Sequence, residues 1–330
     1  MTTAVTSGTK TLRIGTRGSR LARWQAEWVA AELRRHHQGL SVELVEIKTH
    51  GDRDRNSPLG AIGGTGLFTK EIQQAVLDRS VDIAVHSLKD LPTRGPLELV
   101  LAAVPPREVV ADALIAPVHR TLRGLPAGAR VGTSSLRRRA QLLHLRPDLT
   151  VVTLRGNVDT RLSQALDGKL DGVMLAWAGL HRLGLDQHVT ERLEPLVFLP
   201  AVGQGALAIE CRGDDAATRE ILASLDDPAT HRAVLAERSV LAQLEGGCTL
   251  PMGAWARDVV EEADAREQLS LDTVVFDPDG RRCARVAITG SRGDPVALGQ
   301  EAARLLRARG ADALLAQISR KQGSDKPSSS

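Results

Sequence analysis

TKEIQQAVLDRSVDIAVHSLKDL, residues Thr69–Leu91, has a counterpart later in the chain: VDTRLSQALDGKLDGVMLAWAGL, residues Val158–Leu180. Each copy reads as an amphipathic helix, an acidic turn, a buried strand and a helical or loop exit. Each also lies downstream of a short apolar strand, a small polar turn with arginine, and a helix. LRIGTRGSRLARWQ (Leu12–Gln25) serves the first copy; ARVGTSSLRRRAQL (Ala129–Leu142) and TVVTLRGNVDTRLSQ (Thr150–Gln164) serve the second. The simplest architecture is two similar α/β lobes. Leu99–Val104, followed by Pro105 and Pro106, leads from the first lobe to the second. LPAVGQGALAIECR (Leu199–Arg212) returns, with Gly203-Gln204-Gly205 as a hinge-like turn before a strand at Ala206–Cys211. Two crossings leave a cleft walled by strand C-termini and helix N-termini, where α/β folds bind ligands.

Within the first lobe, Leu12–Gly15 is an expected strand, and Ser19 can cap a helix with Leu21, Trp24, Trp28 and Ala31 on one face. Ser41–Lys48 alternates as a half-buried strand should. THGDRDRNSPLGAIGGTG (Thr49–Gly66) is a long polar loop of the kind that is usually functional or mobile; its GGTG lacks the lysine and spacing of a P-loop. After Asp226 the texture changes. A helix at His231–Leu244, a loop EGGCTLPMGA (Glu245–Ala254), strands at Leu271–Phe276 and Cys283–Thr289 around Pro278-Asp279-Gly280, and a helix at Pro295–Arg309 make a small α+β unit. The expected fold is therefore α/β: two doubly wound, periplasmic-binding-protein-like lobes plus a third, smaller domain. Residues 1–105 with 206–225 form lobe one, 106–205 lobe two, 226–320 the small domain, and 321–330 a disordered tail.

Bulk properties exclude several classes. The chain has 330 residues, enough for two or three domains, with 42% apolar and 25% charged residues. Aromatics are 2%, with no tyrosine, which argues against stacking platforms for single-stranded nucleic acid. The net charge is only +3, so basic character is local. No signal peptide is evident in MTTAVTSGTKT, and no apolar run approaches the roughly 20 residues that span a bilayer. The three cysteines, Cys211, Cys248 and Cys283, are odd in number and far apart, as expected of a reducing, cytoplasmic setting.

The candidate chemistry gathers in five places. Each arginine turn combines free N–H groups at a helix N-terminus with hydroxyls or an amide and guanidinium forks, which match carboxylate or phosphate. Three such turns suit a ligand with many negative groups. VDIAVHSLKDLP places His86, Ser87, Lys89 and Asp90 where a buried strand ends, pointing into the cleft. Asp90 is the only carboxylate of that cluster, and neighbouring cations favour its ionised form, suited to stabilising a cation or steering protons. Cys248 sits in Glu245-Gly246-Gly247-Cys248-Thr249, an uncrowded loop suited to covalent attachment; equally, a lone cysteine is commonly a small buried hydrophobe. Metal-ligand spacing is absent, so no metal is expected.

Taken together, LRIGTRGSRLA, GGTGLFTKEI, DIAVHSLKDLP, VGTSSLRRRAQL, LRGNVDTRL, LPAVGQGALAIECR and EGGC, in this order and spacing, resemble the porphobilinogen deaminase (hydroxymethylbilane synthase) family over about Leu12 to Arg320. The resemblance implies a three-domain transferase of tetrapyrrole (haem) biosynthesis. It would join four porphobilinogen molecules head to tail, release ammonia, and free hydroxymethylbilane with water. It implies a dipyrromethane cofactor held by a thioether at Cys248, and Asp90 as catalytic residue. It implies cofactor contacts from Ser87, Lys89, Thr133, Ser134, Ser135, Arg137, Arg138, Arg155 and Gly156. Arg17, Ser19, Arg161 and Gln204 would hold substrate. The expected partners are porphobilinogen and the growing polypyrrole, with neither nucleic acid nor membrane; the expected state is a monomer handing its product to the next enzyme of the pathway. Two features depart from the family's usual pattern. Ala61 and Thr65 stand where many members have loop lysines, and Arg139 extends the usual arginine pair.

The rival readings are a cytoplasmic two-lobed anion-binding protein without catalysis and a nucleic-acid module using Arg137–Arg139. The first has no use for the Gly-Gly-Cys loop or for Asp90. The second sits poorly with the modest charge and scarce aromatics.

Overall fold

The computed structural model describes residues 11–49, 69–244, 250–260 and 267–324. The expected loop lies outside these from residue 50 on, with Ala61 and Thr65; so does Cys248. The first sheet contains β1 (Leu12–Thr16), β2 (Val42–Glu46), β3 (Ile83–Ser87), β4 (Leu99–Ala103) and β10 (Leu207–Arg212), in the order β2-β1-β3-β10-β4. The second contains β5 (Asp112–Ile115), β6 (Arg130–Gly132), β7 (Thr150–Val152), β8 (Gly172–Ala176) and β9 (Glu191–Arg192), in the order β7-β6-β8-β5-β9. The two orders correspond strand for strand, which is the internal repeat made visible. β1 pairs in parallel with β2 and β3, and β6 with β7 and β8. β10 and β5 run antiparallel to their neighbours. The double crossing explains this. Parallel strands run toward the cleft, so a strand that arrives from the other lobe enters at the cleft end and must run the opposite way.

Helices pack on these sheets. α1 (Arg20–His36) starts at Ser19, whose hydroxyl accepts a hydrogen bond from the Ala22 N–H at 3.3 Å. Its buried stripe is Ala22, Gln25, Ala26, Val29, Ala30 and Leu33, so the expected face is corrected. Ala31 is exposed, while Trp28 covers the core edge and Leu21 and Trp24 turn toward the second lobe. The second helical side is thus an interface, which widened the apolar stripe. α2 (Lys70–Leu77), α3 (Leu136–Leu145), α4 (Val158–Leu166), α5 (Trp177–Arg182) and α6 (Ala216–Ala223) follow the repeat.

The third unit is a meander of β11 (Met252–Val260), β12 (Glu267–Phe276) and β13 (Cys283–Ser291). α7 (Pro228–Gln243) and α8 (Pro295–Ala308) pack against it through Ala236, Val240, Leu271, Ala302 and Leu306. β11 escapes the sequence reading because it begins inside the glycine-bearing stretch assigned to a loop. α9 (Ala311–Ser324) is also additional, and it runs four residues into the tail expected to be disordered. Among the described residues no helix is long and apolar enough to cross a membrane.

The three units meet at one carboxylate. Glu237 of α7 has no exposed surface. It accepts hydrogen bonds from Arg107 Nη1 (2.7 Å) and Nη2 (3.2 Å) on the outgoing crossing. It also accepts from Gly203 N (2.7 Å) on the return crossing and from Ala256 N (2.9 Å) on β11. The crossings touch directly, with Glu108 N donating to Gly205 O at 3.2 Å. Gly205 has φ +88°, and a Cβ there would lie 2.3 Å from Glu108 O, so only glycine permits this contact. Removing one member of a buried ion pair strands the other. Glu237→Ala should therefore cost about 3–5 kcal/mol in denaturant unfolding; a loss below about 1 kcal/mol would show that this carboxylate does not hold the crossings together.

Candidate functional site

β3 ends in a 3-10 turn, Leu88–Asp90. Leu88 is fully buried and its N–H donates to Ala206 O at 3.0 Å, pinning the turn to the return crossing. Lys89 and Asp90 are half-buried at its tip. Strand alternation separates the other two polar residues. Ser87 faces α1, where its hydroxyl accepts from Gln25 Nε2 at 2.8 Å. His86 faces the opposite side, with Nε2 3.2 Å from Glu210 Oε2, a carboxylate that accepts hydrogen bonds from Gln73 Nε2. The expectation that His86 joins the cleft set is therefore corrected: it is buried on the α2 side of the sheet.

On the second lobe, Ser135 caps α3, accepting from Arg138 N at 3.3 Å. Thr133 Oγ1 accepts from Ser135 N at 3.2 Å, and the Ser134 hydroxyl donates to Leu154 O. Arg137 and Arg138 then turn inward and take on a structural duty that the sequence reading did not give them. Arg137 Nη1 donates to Asp112 Oδ2 (2.5 Å) and Leu199 O (2.7 Å). Arg138 Nε and Nη2 both donate to Asp112 Oδ1 (2.9 and 2.7 Å), and Nη1 donates to Met174 O (3.1 Å). Gln204 completes the cluster through Nε2, which donates to Val110 O (2.8 Å) and Asp112 Oδ1 (3.0 Å). Gln204 is 1% exposed, so its amide is committed to this network rather than presented to the cleft. Arg139 Nη1 donates to Val151 O at 3.0 Å, away from these groups.

The electrostatics follow from burial. Desolvation opposes the charge on Asp112, but Arg137 and Arg138 outweigh it and hold the carboxyl well below the usual range. Burial lowers the pKa of Arg137, with Asp112 as counterweight. Lys89 is pushed down to about 8, chiefly by desolvation; Asp90 opposes the shift, while Arg138 and Arg161 deepen it. Arg161 is lowered by burial and by Arg138, again opposed by Asp90. Lys89 and Asp90 of the first lobe are thus electrostatically coupled to the second lobe, Lys89 to Arg138, Arg161 and Asp112 and Asp90 to Arg161. Four cations, counting Arg137, meet two anions.

The other expected residues lie in the turns before α4 and α1. Arg161 Nε donates to Gly156 O at 2.7 Å, which shapes the turn before α4. Gly156 has φ +108°, and a Cβ there would sit 2.8 Å from Thr160, so the position requires glycine. Arg155 is half-buried and has no ion-pair partner among the described residues. Arg17 and Ser19 sit in the turn before α1. Two participants escaped the sequence reading. Asp112 begins an apolar run, a placement that signals a buried carboxylate in need of partners. Arg182, two residues past the repeat, lines a cavity of about 20 Å³ with Leu21, Gln25, Ser87, Lys89 and Gly205. Burial lowers its pKa to about 10, and Nη2 donates to Gly205 O at 2.7 Å. A larger hollow of about 300 Å³ lies on the outer side of the first lobe, between His37 and Ile221, and holds none of these charges.

Comparison with known proteins assigns this arrangement. Residues 12–220 match the family model described as "Porphobilinogen deaminase, dipyromethane cofactor binding domain", and residues 231–308 match "Porphobilinogen deaminase, C-terminal domain". The chain belongs to the porphobilinogen deaminase family. Porphobilinogen deaminase of Syntrophotalea carbinolica is 49% identical over 307 residues, covering 93% of this chain and 96% of the relative. That of Desulforudis audaxviator is 49% identical over 305 residues, covering 92% and 97%. Among solved structures, a putative methionine-binding lipoprotein of Bacillus subtilis is similar with a TM-score of 0.42 and 14% identity, covering 66% of this chain and 91% of that one.

The chain thus carries the family's dipyrromethane-binding domain, and its residues fit an anionic group. Arg137 Nε is buried with no hydrogen-bond partner, and the surrounding charge is positive in excess. Cys248, the expected attachment point, lies outside the described residues. Lys89 also gives a test of the cluster without any ligand. Its folded pKa of about 8 lies below its ordinary 10.5, so the folded state carries the full desolvation cost below pH 8 and loses it as pH rises toward 10.5. Lys89→Met should stabilise the fold at pH 7 by on the order of 1 kcal/mol, and this gain should fade by pH 10. A gain independent of pH would mean that Lys89 is ordinarily solvated.

Proposed function

We propose that this chain condenses four porphobilinogen molecules head to tail onto a dipyrromethane primer, releasing ammonia at each addition, and then frees hydroxymethylbilane by hydrolysis in haem biosynthesis. The observation that carries the reading is Asp90, one carboxylate in the turn after β3, whose charge acts on Lys89 beside it and on Arg161 of the second lobe. Each substrate brings two carboxylate arms, so a growing product accumulates negative charge. Arg17, Ser19 and Arg161 are the groups proposed to grip it, each charge-assisted bond contributing roughly 1.5–3 kcal/mol. Ser87, Lys89, Thr133, Ser134, Ser135, Arg137, Arg138, Arg155 and Gly156 are proposed to hold the primer. Gln204 is better read as a structural residue, because its amide serves Asp112.

When bound, the primer supplies the pyrrole carbon to which the first substrate is joined. Asp90 has the harder task. Loss of ammonia leaves a cationic substrate, and an ionised carboxylate accepting the pyrrole N–H stabilises that charge most where water is scarce. Lys89 beside it holds a proton with unusual readiness to release it, which suits a group near the leaving amine. The reading takes the domain division as 1–105 with 206–225, then 106–205, then 226–320, in keeping with the sheet order. It takes the chain as a cytoplasmic monomer passing its product to the next enzyme of the pathway. Cys211 and Cys283 are both free, in line with a reducing compartment.

Intact mass tests the attachment. The purified wild-type chain should carry a stable excess equal to two linked pyrrole units. Cys248→Ser should fold and lack it; an adduct that persists in this variant, or maps to Cys211 or Cys283, would overturn the assignment.

Asp90→Asn keeps size and removes charge. Single-turnover ammonia release by the loaded variant should fall by about 10²–10⁴, with a smaller effect on substrate binding. A rate within threefold of wild type would take Asp90 out of the chemical step.

A further inference from the structure

We infer that Arg20 and Asp159 form a positioning pair that sets the arginine turns of the two lobes against each other across the cleft. Arg20 Nη1 lies 2.9 Å from Asp159 Oδ1, and Nη2 donates to Leu183 O at 3.1 Å. Arg20 is the first residue of α1, directly after the Ser19 cap and three residues from Arg17. Asp159 lies in the first turn of α4, three residues after Gly156 and two before Arg161. The pair therefore links the two turns proposed to hold substrate, and the inference rests on that reading.

Local electrostatics point the same way. A cation at a helix N-terminus faces the positive end of the macrodipole, so Arg20 does not serve its own helix. Its partners are well placed. Asp159 sits at the positive end of α4, which favours an anion, and Leu183 O is at the negative end of α5, which favours a cation. The residue gains its favourable contacts only from the other lobe. Neighbouring contacts follow the same seam. The Arg182 guanidinium lies over the Trp24 ring at 5.8 Å, and Leu21 packs against Gly179.

The strength of the pair suits a contact that is made and broken. The Arg20 and Asp159 side chains are 58% and 42% exposed, so salt screens them and their link is weak. The cavity behind this seam, about 20 Å³, has room for about one water molecule. A pyrrole with two carboxylate arms enters only when the lobes part, and the pair then has to open and close with each addition. It fixes the register of the grip without locking it.

Charge reversal tests this on the full-length, cofactor-loaded enzyme. Arg20→Glu and Asp159→Arg alone should each raise the KM for porphobilinogen three- to tenfold, with kcat changed less than twofold. Intact mass should show the same cofactor load and thermal melting the same midpoint within a degree or two. The double reversal, Arg20→Glu with Asp159→Arg, should bring KM back to within twofold of wild type. Small-angle X-ray scattering without substrate should give each single variant a larger radius of gyration than wild type. In 1 M salt the wild type should match them, and the double variant should behave as wild type. Single variants with unchanged KM and radius, or a double variant no better than the singles, would overturn the pair. A wild type that releases no ammonia from porphobilinogen would instead refute the proposed reaction, and the scattering arm would still decide whether the pair holds the lobes.

Discussion

Glu237 is the group on which the arrangement of the three units depends. It has no access to water, yet it carries four hydrogen bonds from three separate stretches of chain. Taking a carboxylate out of water is costly unless its lone pairs are filled and its charge is met. Arg107 meets the charge, and two backbone N–H groups fill the remaining sites. The two crossings and β11 are therefore not free to drift apart one at a time, since any departure leaves the carboxylate unsatisfied. Asp112 repeats the device one step into the second lobe, joining α3, β5 and the return crossing through Arg137, Arg138 and Gln204. The hinge region is thus built from buried carboxylates gripped by arginine and amide donors rather than from a slack linker.

The same device shapes the site. Asp112 neutralises only one of the two arginines that grip it, and Lys89 feels the charges of Arg138 and Arg161 as well as that of Asp90. The excess of positive charge is held where desolvation is large enough to bring Lys89 down to about 8. A site of that kind favours a ligand that brings its own carboxylates, because each one relieves a repulsion as well as forming a bond. Asp90 escapes neutralisation by a direct ion pair among the described residues, and so it stays available to a cation that forms within the site.

Much of the fold was legible in the sequence because the two lobes repeat one local plan. Alternating and 3.6-residue patterns locate β1, β2, β3, β8 and their helices, and the resemblance between Thr69–Leu91 and Val158–Leu180 shows up as matching strand orders. Three things were hidden. The antiparallel sense of β5 and β10 comes from the direction of chain arrival, which no local pattern encodes. β11 lay inside a glycine-bearing stretch that reads as loop. The inward turn of Arg137 and Arg138 depends on Asp112, 25 and 26 residues away, and side chains of the same type in Arg155 and Arg161 take no such partner among the described residues. Sequence marks where guanidinium groups are dense; it does not say which of them a buried carboxylate claims.

The contrast between the two ends of the lobe interface gives the fold its mechanical character. At the hinge, Glu237 and Asp112 are fully buried, and opening either exposes an unpaired charge. On the seam between α1 and α4, Arg20 and Asp159 are half in water, and parting them exchanges one set of hydrogen bonds for another with solvent at little cost. The lobes are therefore held firmly at the crossings and only weakly along the α1–α4 seam. Leu88 N is tied to Ala206 O beside the hinge, so the turn that carries Lys89 and Asp90 belongs to the firmly held part. Such a division suits a reaction whose chemistry is repeated unchanged on a chain that lengthens.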